Sequence, residues 1–277
     1  MRRRRAGLLS VLVIVVACGG SSSGSTSGAT DSTSTMPIAN TTTSRNVSTT
    51  PASSTLSYVA FGDSWPEGAH CNGCTPFPEL WLEAIAEQTG AEVEFTDFTG
   101  DGERSTAEGK ASASLLDSLQ KNEETRTAVA DADVILISTG PNEIGDVAEA
   151  VKAGTCGGAD GFDCIRALGE TWSTNFDQIL SEIETLRGGN PTAIRLVNGA
   201  NPFVLYPEDN EGMPPDFATT GGTFIFDLLA GAMCDAAAAH DAVCIDARPL
   251  IEVSEDSPES MQAVADALAD AGLAELD

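Results

Sequence analysis

The chain has 277 residues and carries 42 Asp and Glu against 14 Lys and Arg, a formal charge of −28 at pH 7. Binding a phosphate backbone rests on Lys and Arg, so this acidity excludes nucleic acid as a partner. Two histidines exclude a histidine-rich metal centre and leave few bases for chemistry near neutral pH, whereas 42% hydrophobic residues suffice for a substantial core in one or two domains.

The N-terminal segment reads as export machinery. Arg2 to Arg5 form a positive n-region, Leu8 to Val16 a short apolar run, and Val15-Val16-Ala17-Cys18 a small-residue cleavage site ending in cysteine. This is the pattern of a signal peptide, too short to span a bilayer stably. Its last four residues resemble the bacterial lipobox, which implies that Cys18 is acylated and becomes the mature N-terminus. Each acyl methylene then contributes about 0.8 kcal/mol of anchoring. Residues 19–55 contain 21 Ser or Thr among 37 and almost nothing apolar, so they are expected to form a disordered tether with a mean reach of roughly 30–36 Å. The expected organisation is a signal peptide over 1–18, a tether over 19–55 and a folded domain over 56–277, held in the cell envelope outside the cytoplasmic membrane. That domain carries 9 basic and 41 acidic groups, a charge of −32 suited to a saline, solute-rich medium.

From Leu56 the chain alternates apolar runs, glycine-bearing loops and helical stretches. The first expected strand, Ser57 to Phe61, is followed by Gly62-Asp63-Ser64-Trp65 and by Gly68. A serine at a strand-to-helix turn stands exposed at a sheet edge, where helical amides favour negative charge developing on it. The next loop holds His70, Cys71 and Cys74. Trp65, Phe77 and Trp81 are candidate walls of an apolar acyl or sugar pocket, although Trp81 sits on the helix expected near Glu79 to Thr89 and suits a core equally well. The second strand, Val93 to Phe98, runs into Thr99-Gly100-Asp101-Gly102, where a glycine lets a backbone N–H approach a substrate oxygen closely. A helix near Ala111 to Gln120 leads to the third strand, Val134 to Ser138, which is apolar on both faces and needs cover from both sides. Ser138-Thr139-Gly140-Pro141-Asn142-Glu143 then presents an amide side chain from a tight turn.

Further along, Asp160-Gly161-Phe162-Asp163 and Glu208-Asp209-Asn210-Glu211 lack the alternating ligand spacing of a calcium loop, and no metal is expected. A helix from Ile165 to Arg187, a strand from Ile194 to Asn198, a helix from Phe224 to His240, a strand from Ala242 to Asp246 and a helix from Pro258 to Ala271 complete the pattern. Apart from Cys18 six cysteines remain, and an even number in an exported domain reads as disulfides. Sequence does not settle their connectivity, but neighbouring cysteines close short loops, so the expected pairs are Cys71 with Cys74, Cys156 with Cys164, and Cys234 with Cys244. Cys71-Asn72-Gly73-Cys74 also has the form of a redox motif. The Thr75-Pro76-Phe77-Pro78 that follows reads as loop rather than the helix start that activates such a thiol.

Alternating strands and helices predict an α/β domain: a three-layer α/β/α sandwich around a five-stranded parallel sheet, with chemistry in the loops at the carboxyl ends of the strands. A serine hydroxyl, a backbone N–H and an Asn NH2 converging there would make a nucleophile with an oxyanion hole. Taken together, Gly62-Asp63-Ser64 with Gly68, Gly102, and Gly140-Pro141-Asn142-Glu143 resemble the first three blocks of the SGNH hydrolases, or GDSL esterases and lipases, and the resemblance covers most of residues 56–277. It implies a flavodoxin-like sheet, Ser64 as nucleophile, and an oxyanion hole from the Ser64 N–H, Gly102 and Asn142. Gly100 is the second choice, because aligning Asp97 with the family's strand-end Asn brings Gly102 into register.

The family's fourth block, Asp-x-x-His-Pro ahead of the last helix, is broken. After Asp246 the chain runs Ala247-Arg248-Pro249-Leu250-Ile251-Glu252-Val253-Ser254-Glu255-Asp256-Ser257-Pro258, and no histidine follows His240. Registering on the proline puts Ser257 at the histidine position, and registering on the helix puts Glu255 there. Serine is not basic, and a carboxylate is a weak base unless burial raises its pKa. His240 ends a helix just before the fifth strand, which places it at the opposite edge of the sheet in a structural role. His70, six residues beyond Ser64, is the candidate base or substrate contact. The resulting expectation is a monomeric, lipid-anchored serine ester hydrolase for acyl or acetyl esters of lipid or carbohydrate, needing no cofactor. The alternative is a catalytically inactive binding module of the cell envelope built on the same fold.

Overall fold

Alternate residues of the inner strands enter two different cores. In β1 (Thr55–Gly62), Val59 and Phe61 face one side while Tyr58 and Ala60 face the other; in β3 (Val134–Ser138), Ile135 and Ile137 join the first pair and Val134 and Leu136 the second. The pleat sends successive side chains to opposite faces, so an unbroken apolar run needs a helix layer on each. Both layers are present in the structure, a computed structural model that describes residues 55–69, 71–100, 111–251 and 257–276.

With β2 (Glu92–Phe98), β4 (Ala193–Asn198) and β5 (Val243–Asp246) these strands form one parallel sheet in the order β2-β1-β3-β4-β5. The first core lies beneath α3 (Ser112–Lys121), α4 (Glu123–Asp131), α6 (Asp163–Arg187) and α8 (Gly221–Ala239), which bury Leu115, Val129, Trp172 and Met233 there. The second lies beneath α2 (Phe77–Thr89) and α9 (Pro258–Ala271), through Trp81, Ile85, Met261 and Leu268. Each such side chain contributes about 1.5–3 kcal/mol by leaving water. The architecture is the expected three-layer α/β/α sandwich, and every expected strand is present within two residues of its ends.

Besides the single turn α7 (Pro202–Leu205), two helices were not anticipated: α4, and α5 (Ile144–Lys152). Both carried local signals. The Asn122 side chain caps α4 by accepting from the Glu124 and Thr125 N–H groups, with Glu123 and Glu124 in the first turn. In α5, Ile144, Val147 and Val151 recur at helical spacing against the first core. Helix α8 belongs to a stretch, Phe217–Ala239, apolar and long enough to cross a membrane, but half of it is buried in that core.

Three disulfides join Cys71 to Cys74, Cys156 to Cys164 and Cys234 to Cys244, with Cα separations of 5.6, 4.9 and 5.0 Å. The first pair lies in the bend ahead of α2, so neither sulfur sits at a helix start, where a thiol pKa would be lowered.

Candidate active site

The strand order reverses between β1 and β3, and in an open parallel sheet that switch point opens a crevice at the carboxyl ends. Gly62 at the end of β1 is registered with Ser138 at the end of β3, so the loops that follow them lie side by side. Asp63 spans the two: its N–H donates to the Ser138 carbonyl at 3.2 Å, and its buried carboxylate accepts from the Trp65 N–H at 3.1 Å, capping α1 (Ser64–Glu67). Ser64 is therefore the first residue of a helical turn, where backbone donors lack intrahelical partners. Among the described residues none accepts from the Ser64 N–H.

On the other loop Gly140 has φ +127°, a conformation that side chains rarely adopt, and its α-carbon packs against Leu229. That turn delivers Pro141 and Asn142 to the crevice. Ser64, Trp65, Ser138, Thr139, Pro141 and Asn142 line a small cavity of about 80 Å3, closed on the β4 side by Val197, Gly199, Ala200 and Pro202 and by Phe226 of α8. Ser64 and Asn142 thus meet at one cavity, with Ser64 half-buried and Asn142 exposed. Of the three aromatics expected to shape a pocket, only Trp65 lines it. Phe77 and Trp81 are wholly buried in the second core, because α2 turns that face toward the sheet.

The remaining expected site residues fall into two groups. Gly102, His70, Glu255 and the lipidation residue Cys18 lie outside the described residues. The second choice for the oxyanion hole, Gly100, is engaged elsewhere: its N–H donates to the carbonyls of Gly62 and Asp63, at 3.1 Å each. At the broken fourth block, Ser257 is the N-cap of α9, its hydroxyl accepting from the Ser260 N–H at 3.1 Å, which explains a serine at that position without chemistry. Asp246, from which that block is counted, is gripped by Arg248 through Nε at 2.8 Å and a terminal nitrogen at 2.7 Å. The hydrogen-bonding guanidinium holds its carboxyl below the usual carboxylate range, and Asp227 contacts the same arginine. His240 caps α8 at the amino edge of the sheet, far from Ser64, as expected. Its ring bridges Glu184 (2.8 Å) and Asp177 (3.1 Å). Burial lowers its pKa, but the two carboxylates outweigh burial and raise it overall.

Asp160 and Asp163, the carboxylates of the first stretch set against a calcium loop, both pair with Arg166. Among the described residues no group of three or more His, Cys, Asp or Glu side chains is arranged around a metal position.

A polar cluster beside the cavity escaped sequence reasoning. The Glu143 carboxylate accepts from the Ser112 hydroxyl (2.9 Å), the N–H groups of Ser112 and Ala113 (3.2 and 3.3 Å) and the Trp172 indole (2.7 Å), while Asn175 donates to the Ser112 hydroxyl at 2.9 Å. The one available signal was that helix α3 begins after Ala111, which has no capping side chain, so its first N–H groups need a partner from elsewhere.

No protein-family model and no curated protein matches the sequence. Among solved structures, a lipase from a goat-rumen metagenome superposes with a TM-score of 0.62 at 19% identity, over 80% of this chain and all of that one. An extracellular lipase from Streptomyces rimosus gives 0.48 at 16% identity over 73% of this chain and 86% of its own. A carbohydrate acetylesterase family member from Sinorhizobium meliloti gives 0.48 at 14% identity over 80% and 99%. At 19% identity the likeness to the goat-rumen lipase is one of fold alone.

Proposed function

We propose that the protein is a serine ester hydrolase that acts through Ser64 on acyl or acetyl esters of lipid or carbohydrate. The observation that carries this is the meeting of Ser64 and Asn142 at one cavity on the switch point of the sheet, with the Ser64 N–H unengaged among the described residues. The goat-rumen lipase fold supports an ester hydrolase in general.

In the proposed reaction Ser64 Oγ attacks the ester carbonyl carbon. Its proton passes to a base, for which His70 is the candidate, and from there to the departing alkoxide as the carbon–oxygen bond breaks. The carbonyl oxygen carries the negative charge meanwhile and is met by the N–H groups of Ser64 and Gly102 and the Asn142 amide. Water then repeats the attack on the acyl-enzyme, releasing the acid and returning the proton to Ser64. The domain acts as a monomer in the cell envelope, held at the membrane through acylated Cys18 and the tether over 19–55.

Incubation with short p-nitrophenyl esters and a fluorophosphonate tests this. Hydrolysis and labelling of Ser64 are expected, both lost in Ser64→Ala; absence of labelling at every pH overturns the proposal. One observation favours a second reading, an inactive binding module: Asp246 is occupied by Arg248, and no described side chain offers Ser64 Oγ a basic partner. That reading expects no labelling and ligand binding unchanged in Ser64→Ala.

A further inference from the structure

We infer that Glu143 is a positioning residue for Asn142: its carboxylate, clamped between the start of α3 and the indole of Trp172, fixes the turn that points the Asn142 amide at the Ser64 cavity. The inference rests on the proposed hydrolase only for its kinetic consequence; the clamp itself is a matter of geometry.

Glu143 is the last residue of the one-turn 3-10 segment Pro141–Glu143, so its backbone and that of Asn142 belong to a single turn. The turn itself is a single one, closed by backbone hydrogen bonds from the Glu143 N–H to the Gly140 carbonyl and from the Ile144 N–H to the Pro141 carbonyl. Its start, Gly140, is in a conformation favoured only by glycine, and the Glu143 N–H returns to the Gly140 carbonyl at 3.1 Å. Asn142 is exposed. From outside, the Glu143 side chain ties the turn to two helices, its oxygens receiving donors from Ser112 and Ala113 at the head of α3 and from Trp172 on α6. Ser112 and Trp172 are fully buried, and Trp172 is packed in the first core, so these two donors are braced by packing. The carboxylate also meets the positive end of α3, which Ala111 leaves uncapped. A carboxylate accepts from all of these donors at once. A carboxamide cannot, because its NH2 would face N–H groups.

An oxyanion donor must stand within tenths of an ångström of its productive position, and misplacement by about 1 Å costs on the order of 100-fold in rate. Glu143→Gln is therefore expected to lower kcat for a p-nitrophenyl ester by about 10- to 100-fold, per active site titrated with fluorophosphonate, while KM stays within about 3-fold. Trp172→Phe, which keeps an aromatic ring, removes one donor and leaves a small cavity in the core, is expected to cost less in kcat, and it serves as the test should Glu143→Gln fail to fold. A readout independent of catalysis is the order of the Asn142 backbone amide by 15N relaxation, expected to be rigid in the unmodified protein, near 0.85, and to fall toward about 0.6 in either variant. Unchanged Asn142 order overturns the inference, even when the melting temperature drops. If the unmodified protein neither hydrolyses esters nor labels at Ser64, yet Asn142 loosens in the variants, the hydrolase proposal falls and the positioning role of Glu143 stands.

Discussion

The ring of Pro66 lies against the α-carbon of Gly62, so closely that a Cβ on Gly62 would stand 2.2 Å from Pro66 Cγ and 2.8 Å from the Ser138 carbonyl oxygen. Glycine is required here by close approach: α1 folds back over the end of β1 and thereby holds Ser64 at the edge of the cavity. Gly62→Ala is expected to destabilise the domain by about 1–3 kcal/mol through overpacking. It should also slow phosphonylation of Ser64, since Pro66 can retreat only by shifting α1. Denaturant unfolding and labelling kinetics on the same preparation check both; equal labelling rates would separate Ser64 from this contact.

On the proposed reaction, Asn142→Ala removes one oxyanion donor from a turn whose backbone is left intact. The expected loss is about 100- to 1000-fold in the acylation rate with little change in KM, because the donor acts on charge present only in the transition state. Pre-steady-state release of p-nitrophenol measures the step directly.

His240 ties the end of α8 to Glu184 and Asp177 of α6, and its pKa is raised in the folded protein. A raised pKa means that the clamp contributes fully below the unfolded value of about 6.5 and that the contribution is lost as pH rises through the higher folded value. His240→Gln should therefore lower the melting temperature clearly near about pH 5.5 and hardly at all near about pH 9. A shift of equal size at both ends would show that packing, not charge, makes the contact.

The disulfide between Cys234 and Cys244 joins α8 to β5, an edge strand whose residues are half-exposed. Closing a loop of this length is worth about 2–3 kcal/mol through the unfolded chain. Replacing both cysteines with alanine should lower the melting temperature by roughly 5–10 °C, given about 2–4 °C per kcal/mol for a domain of this size. Ester hydrolysis at moderate temperature should persist, since the bond lies away from the residues that line the Ser64 cavity.

What was legible in the sequence follows from short-range patterning. The doubly apolar run Val134–Ile137 announces a strand buried on both faces, and alternation with helices makes the sheet parallel. Chemistry then belongs at carboxyl ends, where Ser64 and Asn142 stand. The disulfide pairs were equally local, each closing a loop of ten residues or fewer. What only the tertiary structure decided involves partners distant in the chain. Glu143 meets Trp172 from 29 residues away, and Arg195, a charge buried in a central strand, finds Glu275 from 80 residues away at 2.9 Å. Gly100 loses its candidacy as an oxyanion donor because sheet order brings it against Gly62 and Asp63. Periodicity is written among neighbours because the pleat and the helical turn repeat every few residues. Which carboxylate meets which donor depends on the order of the strands and the packing of the helices upon them, and no local pattern encodes that.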